Sequence, residues 1–132
     1  MNNNILVTGG SGQVGKELRQ ILPEATYISS NEYNLTSEKS IRDLFTFSNF
    51  DTIIHLAAKV GGIIDNINNP ADYYSDNVLM NTLMVDYAAD YNVRRFIGVL
   101  STCAYPDVVD SYPMEEDMLH KGPPTPTNFS YG

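Results

Sequence analysis

Two patterns of apolar residues alternate along the chain. Four short apolar runs are typical of buried β-strands and lie at residues 5–8, 25–28, 52–56 and 96–100. Between them, three segments repeat apolar residues at helical spacing, and these lie at residues 14–22, 40–47 and 71–91. The pattern therefore predicts strands that alternate with helices.

The second predicted helix has a defined start and a defined apolar face. Ser37 stands where a side chain caps the N-terminus of a helix. The residues expected to point inward are Ile41, Leu44, Phe45 and Phe47. Met80 and Met84, at helical spacing in the long third helix, are expected in a core or an interface.

Alternating strands and helices, with each strand apolar almost throughout, indicate an α/β fold: a parallel sheet with helices on both faces. The right-handed crossover rule favours a Rossmann-like strand order of 3-2-1-4. The 132 residues suffice for about one domain. After Ser101 five prolines interrupt regular structure, which predicts a long loop. We expect residues 1–132 to form a Rossmann domain truncated before its last strands.

A glycine-rich turn, TGGSGQVG, joins the first strand to the first helix. In that position Gly9 permits a tight turn, Gly12 lets the backbone approach a pyrophosphate, and Gly15 allows close packing of helix on strand. The helix N-terminus adds N–H groups and a positive potential. The spacing predicts a dinucleotide site, and a tight turn that holds no ligand is the alternative.

The end of the second strand bears on which dinucleotide is bound. NAD-binding domains usually carry an acidic residue there, whereas this chain has Ser29 and Ser30. The serine hydroxyls can donate to a 2′-phosphate, and no carboxylate at these two positions repels it. The sequence thus favours NADP, although Glu32 lies close and no arginine follows the strand.

Charge and composition exclude several classes of partner. A formal net charge of -8 repels nucleic acids and anionic membranes over roughly a Debye length. No apolar stretch approaches the roughly 20 residues that span a bilayer. The single cysteine, Cys103, fits a reducing compartment, so we expect a cytoplasmic protein. His55 is expected to be a core histidine, and His120 lacks companions at metal-ligand spacing, so no metal is predicted.

Four motifs in order resemble the extended short-chain dehydrogenase/reductases of the NAD-dependent epimerase/dehydratase family. They are TGGSGQVG, HLAAKVGG from His55, LSTCAYP from Leu100, and GPPTPTNFSYG at the end. Within that family the combination is most similar to the enzymes that epimerise and reduce GDP-4-keto-6-deoxy-mannose. Other sugar epimerases usually lack the cysteine two residues after the serine. The resemblance implies an NADPH cofactor and a GDP-sugar substrate.

The resemblance also implies three catalytic residues. Ser101 and Tyr131 match the pair that hydrogen-bonds the substrate carbonyl, with Tyr131 as proton donor and Ser101 polarising the oxygen. Cys103 matches the base of the epimerisation, a role that needs a thiol pKa below about 8.5. Without the resemblance, Ser101 could simply close a turn and Cys103 could fill a small apolar space.

Binding residues follow from the same resemblance. The implied cofactor contacts are Gly9, Gly10, Ser11, Gly12, Gln13, Val14, Gly15, Ser29, Ser30, Asn34, Leu56, Ala57, Ala58, Asn77 and Leu100. The implied substrate contacts are Lys59, Val60, Gly61 and Gly62, together with Ser101 and Tyr131. Gly61 and Gly62 could instead serve only as turn residues.

The chain ends before the lysine of the family's YxxxK pattern and before a substrate domain. We therefore expect little or no reductase activity from these 132 residues alone. The resemblance implies a homodimer through the helix over residues 71–91. Two alternatives stay open: another nucleotide-sugar epimerase or dehydratase, and a non-catalytic dinucleotide-binding module.

Overall fold

The computed structural model describes residues 4–130, which divide into two compact units. The first unit consists of the chain up to Ala58 together with Val78–Val99. The second consists of Lys59–Asn77 together with the chain from Leu100 onward. The long helix of the chain contributes residues to both units.

The regular elements alternate as the apolar pattern predicts. The strands are β1 (Ile5–Thr8), β2 (Thr26–Tyr27), β3 (Thr52–His55) and β4 (Arg95–Gly98). The helices are α1 (Gln13–Ile21), α2 (Glu38–Thr46), α3 (Ile63–Asn68) and α4 (Pro70–Asp90). All four strands pair in parallel, which confirms the predicted fold class.

The strand order is β2-β1-β3-β4, so the predicted order of 3-2-1-4 is wrong. Val7 of β1 pairs with Tyr27 on one side and with Ile54 on the other. Right-handed crossovers allow β3 on either side of the β1–β2 pair. The side is decided by α2, which buries its apolar face in one cluster with Leu6 and Ile53 and therefore lies over β1 and β3 together.

This cluster is the core of the first unit. Its buried members are Leu6, Ile28, Leu35, Ile41, Leu44, Phe45, Phe50, Ile53, Met80, Met84 and Ala88. They come from β1 and β3, from α2 and α4, and from the loops that carry Ile28, Leu35 and Phe50. Met80 and Met84 are thus core residues, in agreement with their helical spacing.

Helix α2 begins and buries its face as predicted, with one exception. The Ser37 side chain accepts a hydrogen bond from the Ser40 N–H at 3.5 Å and caps the helix. Ile41, Leu44 and Phe45 are buried, but Phe47 is 84% exposed, so its inward orientation was predicted wrongly. Phe47 follows the last helical residue, where helical periodicity no longer sets the direction of a side chain.

The opposite face of the sheet is covered by α1. The Tyr27 hydroxyl donates to the Leu22 carbonyl at 3.1 Å, and the Arg19 guanidinium lies 4.2 Å from the centre of the Tyr27 ring. Val7 on this face is fully buried, whereas Ile97 of the edge strand β4 is 43% exposed. Helices therefore lie on both faces, and coverage decreases towards β4.

The second unit contains α3, which the sequence pattern did not predict. Within α3, the Asn66 side chain donates to the carbonyls of Gly61 and Gly62 at 3.2 and 3.1 Å. These bonds satisfy carbonyls at the start of α3. The unit also contains the start of α4 and the predicted proline-rich loop, which has short 3₁₀ turns at Thr102–Ala104, Glu116–His120 and Pro126–Asn128.

Residues 4–130 lack two kinds of structural feature. No helix in this range is long and apolar enough to cross a membrane. The same residues include no group of three or more His, Cys, Asp and Glu side chains arranged to hold a metal ion.

Phe45 and Phe47 provide a matched test of the core. Phe45→Ala should lower the free energy of unfolding by about 3–5 kcal/mol, because it empties a buried site. Phe47→Ala should change it by no more than about 0.5 kcal/mol, because the ring is already in solvent. Urea unfolding followed by circular dichroism measures both, and equal losses would contradict this assignment of the core.

Candidate functional site

The turn between β1 and α1 brings two segments of backbone into close contact. Gly9 has a φ of +69°, in the left-handed region that glycine adopts without strain. A Cβ placed on Gly9 would lie 2.9 Å from the Ala57 nitrogen, just beyond the end of β3. A Cβ on Gly10 would lie 2.8 Å from the Tyr27 Cβ. The turn is therefore held tightly against both β2 and β3.

Gly15 sets how closely α1 approaches this turn. A Cβ on Gly15 would lie 2.6 Å from the Gly9 carbonyl oxygen, so only glycine fits without a backbone shift. Gly12 is the N-cap of α1, and no side chain caps the helix. The first N–H groups of a helix have no partner within it, so the exposed start of α1 can accept an anion.

The end of β2 carries a carboxylate as well as the two predicted serines. The Glu32 carboxylate accepts hydrogen bonds from both the Ser29 hydroxyl and the Ser29 N–H, each at 2.8 Å. These bonds, the hydroxyl bond above all, hold the pKa of the Glu32 carboxyl below its ordinary value. Ser30 is exposed beside them. A 2′-phosphate that uses the Ser29 hydroxyl must therefore displace Glu32.

The Asn34 side chain forms hydrogen bonds within the turn that contains it. The Asn34 side-chain oxygen accepts from the Thr36 N–H at 3.0 Å and from the Thr36 hydroxyl at 2.8 Å. These bonds fix the backbone between β2 and α2. Asn34 was expected to contact the cofactor, and its side-chain oxygen is already engaged by Thr36.

The end of β3 is linked to the turn through Thr8 and His55. The Thr8 hydroxyl oxygen accepts from the Ala57 N–H at 3.1 Å and lies 2.8 Å from His55 Nδ1. His55 Nε2 lies 3.0 Å from the Asn81 side-chain oxygen. His55 is 5% exposed with a partner at each ring nitrogen, which confirms the predicted core histidine. Burial lowers its pKa, against a smaller opposite effect of Asn81.

In the second unit, Asn77 clamps the backbone of Lys59. Its side-chain oxygen accepts from the Lys59 N–H at 2.8 Å, and its amide nitrogen donates to the carbonyls of Lys59 and Tyr73 at 3.0 and 2.9 Å. The Lys59 amine pairs with Asp76 at 2.7 Å, and this hydrogen bond raises the pKa of Lys59. An anionic ligand at Lys59 would therefore lie beside the Asp76 carboxylate, which repels it.

The two glycines after Val60 differ in what surrounds them. A Cβ on Gly61 would lie 1.9 Å from the hydroxyl of Tyr73, which donates to the Asp65 carboxylate. That bond raises the pKa of Tyr73. A Cβ on Gly62 would meet no atom within 4 Å. Of the two, only Gly61 is closely packed, and a side chain there would displace the Tyr73 hydroxyl.

The predicted catalytic serine and cysteine lie in one short turn. The Ser101 hydroxyl oxygen accepts from the Cys103 N–H at 3.1 Å and caps the 3₁₀ turn. Both side chains are half-buried, and Cys103 is a free thiol. Leu100, before them, is 73% exposed. Tyr131 lies outside the described residues.

The structure groups the predicted residues within each unit. In the first unit the glycine turn, Ser29 and Leu56–Ala58 follow the carboxyl ends of β1, β2 and β3, the edge where parallel α/β sheets bind ligands. In the second unit Asn77 meets Lys59, and Ser101 meets Cys103. The Thr8–His55–Asn81 link was not predicted. Its only signal in the sequence is that Thr8 and His55 each end an apolar strand run before a cofactor motif.

The glycine geometry and the order of the motifs agree with one family. The profile of the NAD dependent epimerase/dehydratase family matches residues 5–132. The chain belongs to this family. Membership confirms the family named from the four motifs and accounts for the glycine turn at the first strand end.

Relatives at higher similarity have more specific names. The chain is 37% identical over 134 residues to a probable GDP-L-fucose synthase of Drosophila melanogaster, covering 96% of this chain and 41% of the relative. It is 36% identical to a GDP-L-colitose synthase of Yersinia pseudotuberculosis, covering 96% and 42%. The chain thus spans about two fifths of the length of the curated relatives it matches.

A solved structure supports the same grouping. A GDP-L-fucose synthetase from Naegleria fowleri, determined with NADP bound, superposes with a TM-score of 0.86 at 34% sequence identity. The match covers 98% of this chain and 43% of that chain. The epimerase/dehydratase fold of the first unit is therefore shared with an NADP-binding relative.

Gly15 and Gly62 provide a matched test of the turn. Gly15→Ala should lower the free energy of unfolding by about 1–3 kcal/mol, because the new methyl group forces α1 away from the Gly9 carbonyl. Gly62→Ala, which enters open space, should change it by less than about 1 kcal/mol. Urea midpoints measure both, and an unchanged midpoint for Gly15→Ala would show that the turn is not closely packed.

Proposed function

We propose that this chain is the NADP-binding N-terminal part of a GDP-L-fucose synthase, which epimerises and reduces GDP-4-keto-6-deoxy-mannose to GDP-L-fucose. Sequence similarity to GDP-L-fucose synthases over 96% of the chain supports the choice of substrate. The observation that carries the cofactor assignment is the glycine turn, in which Gly9 adopts a positive φ and Gly15 contacts the Gly9 carbonyl.

The residues present fit a dinucleotide. Gly12 and the start of α1 would hold the pyrophosphate, because no side chain caps the helix and its first N–H groups have no partner within it. Leu56 and Ala57 after β3 would line the cofactor. NADPH would supply the hydride that reduces the keto group. Ser29, after β2, would meet the 2′-phosphate once Glu32 releases its hydroxyl.

The second unit would supply the proton chemistry. Because the Ser101 oxygen accepts from the Cys103 N–H, its own hydroxyl hydrogen can still be donated to a carbonyl oxygen of the substrate. The Cys103 thiolate would remove a proton from a carbon beside that carbonyl, and the electron pair would delocalise onto the carbonyl oxygen. An acid from outside the described residues would then return a proton to the opposite face of that carbon, which inverts it. Tyr131 would donate the proton that accompanies reduction, and Lys59 to Gly62 would contact the sugar nucleotide.

Three further assignments concern the GDP-sugar product, the oligomeric state and the cellular location. Similarity to a GDP-L-colitose synthase makes synthesis of another GDP-sugar the second candidate function. We also propose a homodimer through α4, because Val78, Leu79 and Val85 are 46%, 45% and 51% exposed. A cytoplasmic location stays a prediction that rests on the single thiol, Cys103.

Titration of the purified chain with NADPH and with NADH tests the cofactor. We expect NADPH to bind about tenfold more tightly, a difference of about 1.4 kcal/mol in binding free energy. Calorimetry or the fluorescence of the reduced nicotinamide gives both dissociation constants. Tighter binding of NADH, or binding of neither nucleotide, would contradict the proposal.

Glu32 tests how the 2′-phosphate is accommodated. Glu32→Gln should raise the ratio of NADPH to NADH affinity severalfold, because it removes a carboxylate that engages Ser29 and repels phosphate. Glu24→Gln is the control, since it removes the same charge at another exposed position. If both variants shift the ratio equally, net charge and not the contact with Ser29 is responsible.

A further inference from the structure

The last residues of β1 and β3 are joined by a buried side-chain hydrogen bond. Thr8 and His55 are partners in the β1–β3 register, and each directly precedes a segment assigned to the cofactor. Thr8 is fully buried, and its hydroxyl oxygen lies 2.8 Å from His55 Nδ1. The other ring nitrogen meets Asn81 on α4 at 3.0 Å. Neither the predicted catalytic group nor the predicted cofactor contacts include this link.

The partners determine where the hydrogens lie. The Thr8 oxygen accepts from the Ala57 N–H, so its own hydrogen can point to His55 Nδ1. The Asn81 side-chain oxygen only accepts, so His55 Nε2 carries the ring hydrogen. The ring that satisfies every group is thus neutral with its hydrogen on Nε2. A second hydrogen on Nδ1 would face the Thr8 oxygen and leave the Thr8 hydroxyl hydrogen without this acceptor.

The link reaches the cofactor turn through Ala57. The Ala57 nitrogen that donates to Thr8 is also the atom that a Cβ on Gly9 would approach to 2.9 Å. The position of the Ala57 nitrogen therefore limits how much room the backbone has at Gly9. His55 acts on it indirectly, because by accepting the Thr8 hydrogen it orients the Thr8 oxygen towards Ala57.

We propose that His55 is a positioning residue for dinucleotide binding: its neutral ring orients the Thr8 hydroxyl, which holds the Ala57 backbone against the glycine turn. The inference deepens the proposed function and rests on it for the identity of the ligand. His55 itself touches no cofactor atom in this scheme. His55 contributes by fixing the separation between the ends of β1 and β3.

The surroundings of His55 keep the ring neutral at pH 7. Within the first unit its ring hydrogen-bonds Thr8 from β1 and Asn81 from α4, and its centre lies 5.8 Å from the ring centre of Phe96 on β4. None of these side chains ionises, and burial lowers the His55 pKa. Stability from the neutral ring is fully present above the unfolded pKa of about 6.5 and is lost as the pH falls through the lower folded pKa.

Two substitutions separate the role of each ring nitrogen. Asparagine carries its amide at the distance from the backbone at which histidine carries Nδ1, whereas glutamine reaches to the distance of Nε2. His55→Asn should therefore retain an acceptor for Thr8 and keep NADPH affinity within about threefold of the original chain. His55→Gln loses that acceptor and should weaken binding about tenfold. Both variants lose the ring, so a purely structural role would weaken binding equally in both.

Thr8→Val tests the hydroxyl and has a matched control. Thr8→Val should weaken NADPH binding as much as His55→Gln does, and combining the two should add little, because both break one link. Thr52→Val removes a hydroxyl from another buried threonine, on β3, and should leave the affinity unchanged. Additive losses in the double variant would overturn the proposal.

Ligand-free measurements separate this inference from the proposed function. Amide hydrogen exchange at Ala57 should be slow in the original chain and in His55→Asn, and at least tenfold faster in Thr8→Val and His55→Gln. Nitrogen chemical shifts of His55 should show the hydrogen on Nε2. If exchange follows this pattern but NADPH does not bind, the link stands and the proposed function fails. If NADPH binds but Ala57 exchange is the same in all variants, the link has no positioning role.

The pH profile covers the case in which His55→Gln does not fold. NADPH affinity of the original chain should fall more steeply than that of His55→Asn as the pH drops through the His55 pKa, which burial holds below its ordinary value, because asparagine has no ring to protonate. Comparing the two profiles cancels the titration of the nucleotide's own phosphate. Parallel profiles would contradict the requirement for a neutral ring.

Discussion

The first unit depends on an approach of backbone to backbone that side chains would prevent. Gly9 turns with a positive φ against Ala57, and Gly15 brings α1 within van der Waals contact of the Gly9 carbonyl. The ends of β1 and β3 and the start of α1 consequently lie together at the glycine turn. Because helix N–H groups are fixed at that point before any ligand arrives, little ordering entropy remains to oppose the binding of an anion.

Local steric requirements were predictable from the sequence, whereas long-range packing was not. The tight turn at Gly9, the close packing at Gly15 and the Ser37 cap were predicted correctly, because each depends mainly on residues close by in the sequence. The strand order was predicted wrongly because the crossover rule leaves β3 two positions. The choice between them depends on α2 burying Phe45 in one cluster with Leu6 and Ile53, residues far apart in the chain.

The candidate site was predictable by residue type but not by hydrogen-bond partner. The resemblance implies that Ser29, Asn77 and Ser101 contact ligands, yet in the structure each already bonds another group of the chain. Which group it meets is set by loop conformation, as with Asn66 and the start of the unpredicted α3. The residue types in these motifs do not predict the loop conformation.

These partners limit the chemistry that each residue can perform. Both hydrogens of the Asn77 amide are donated to carbonyls, so Asn77 could contact a ribose only as an acceptor, through its remaining lone pair. The Ser29 hydrogen is donated to Glu32, so its use by a phosphate requires an exchange of partners. Ser101 differs, because it accepts from the backbone and keeps its own hydrogen for donation. Of the three, Ser101 alone is arranged to polarise a carbonyl without first breaking a bond.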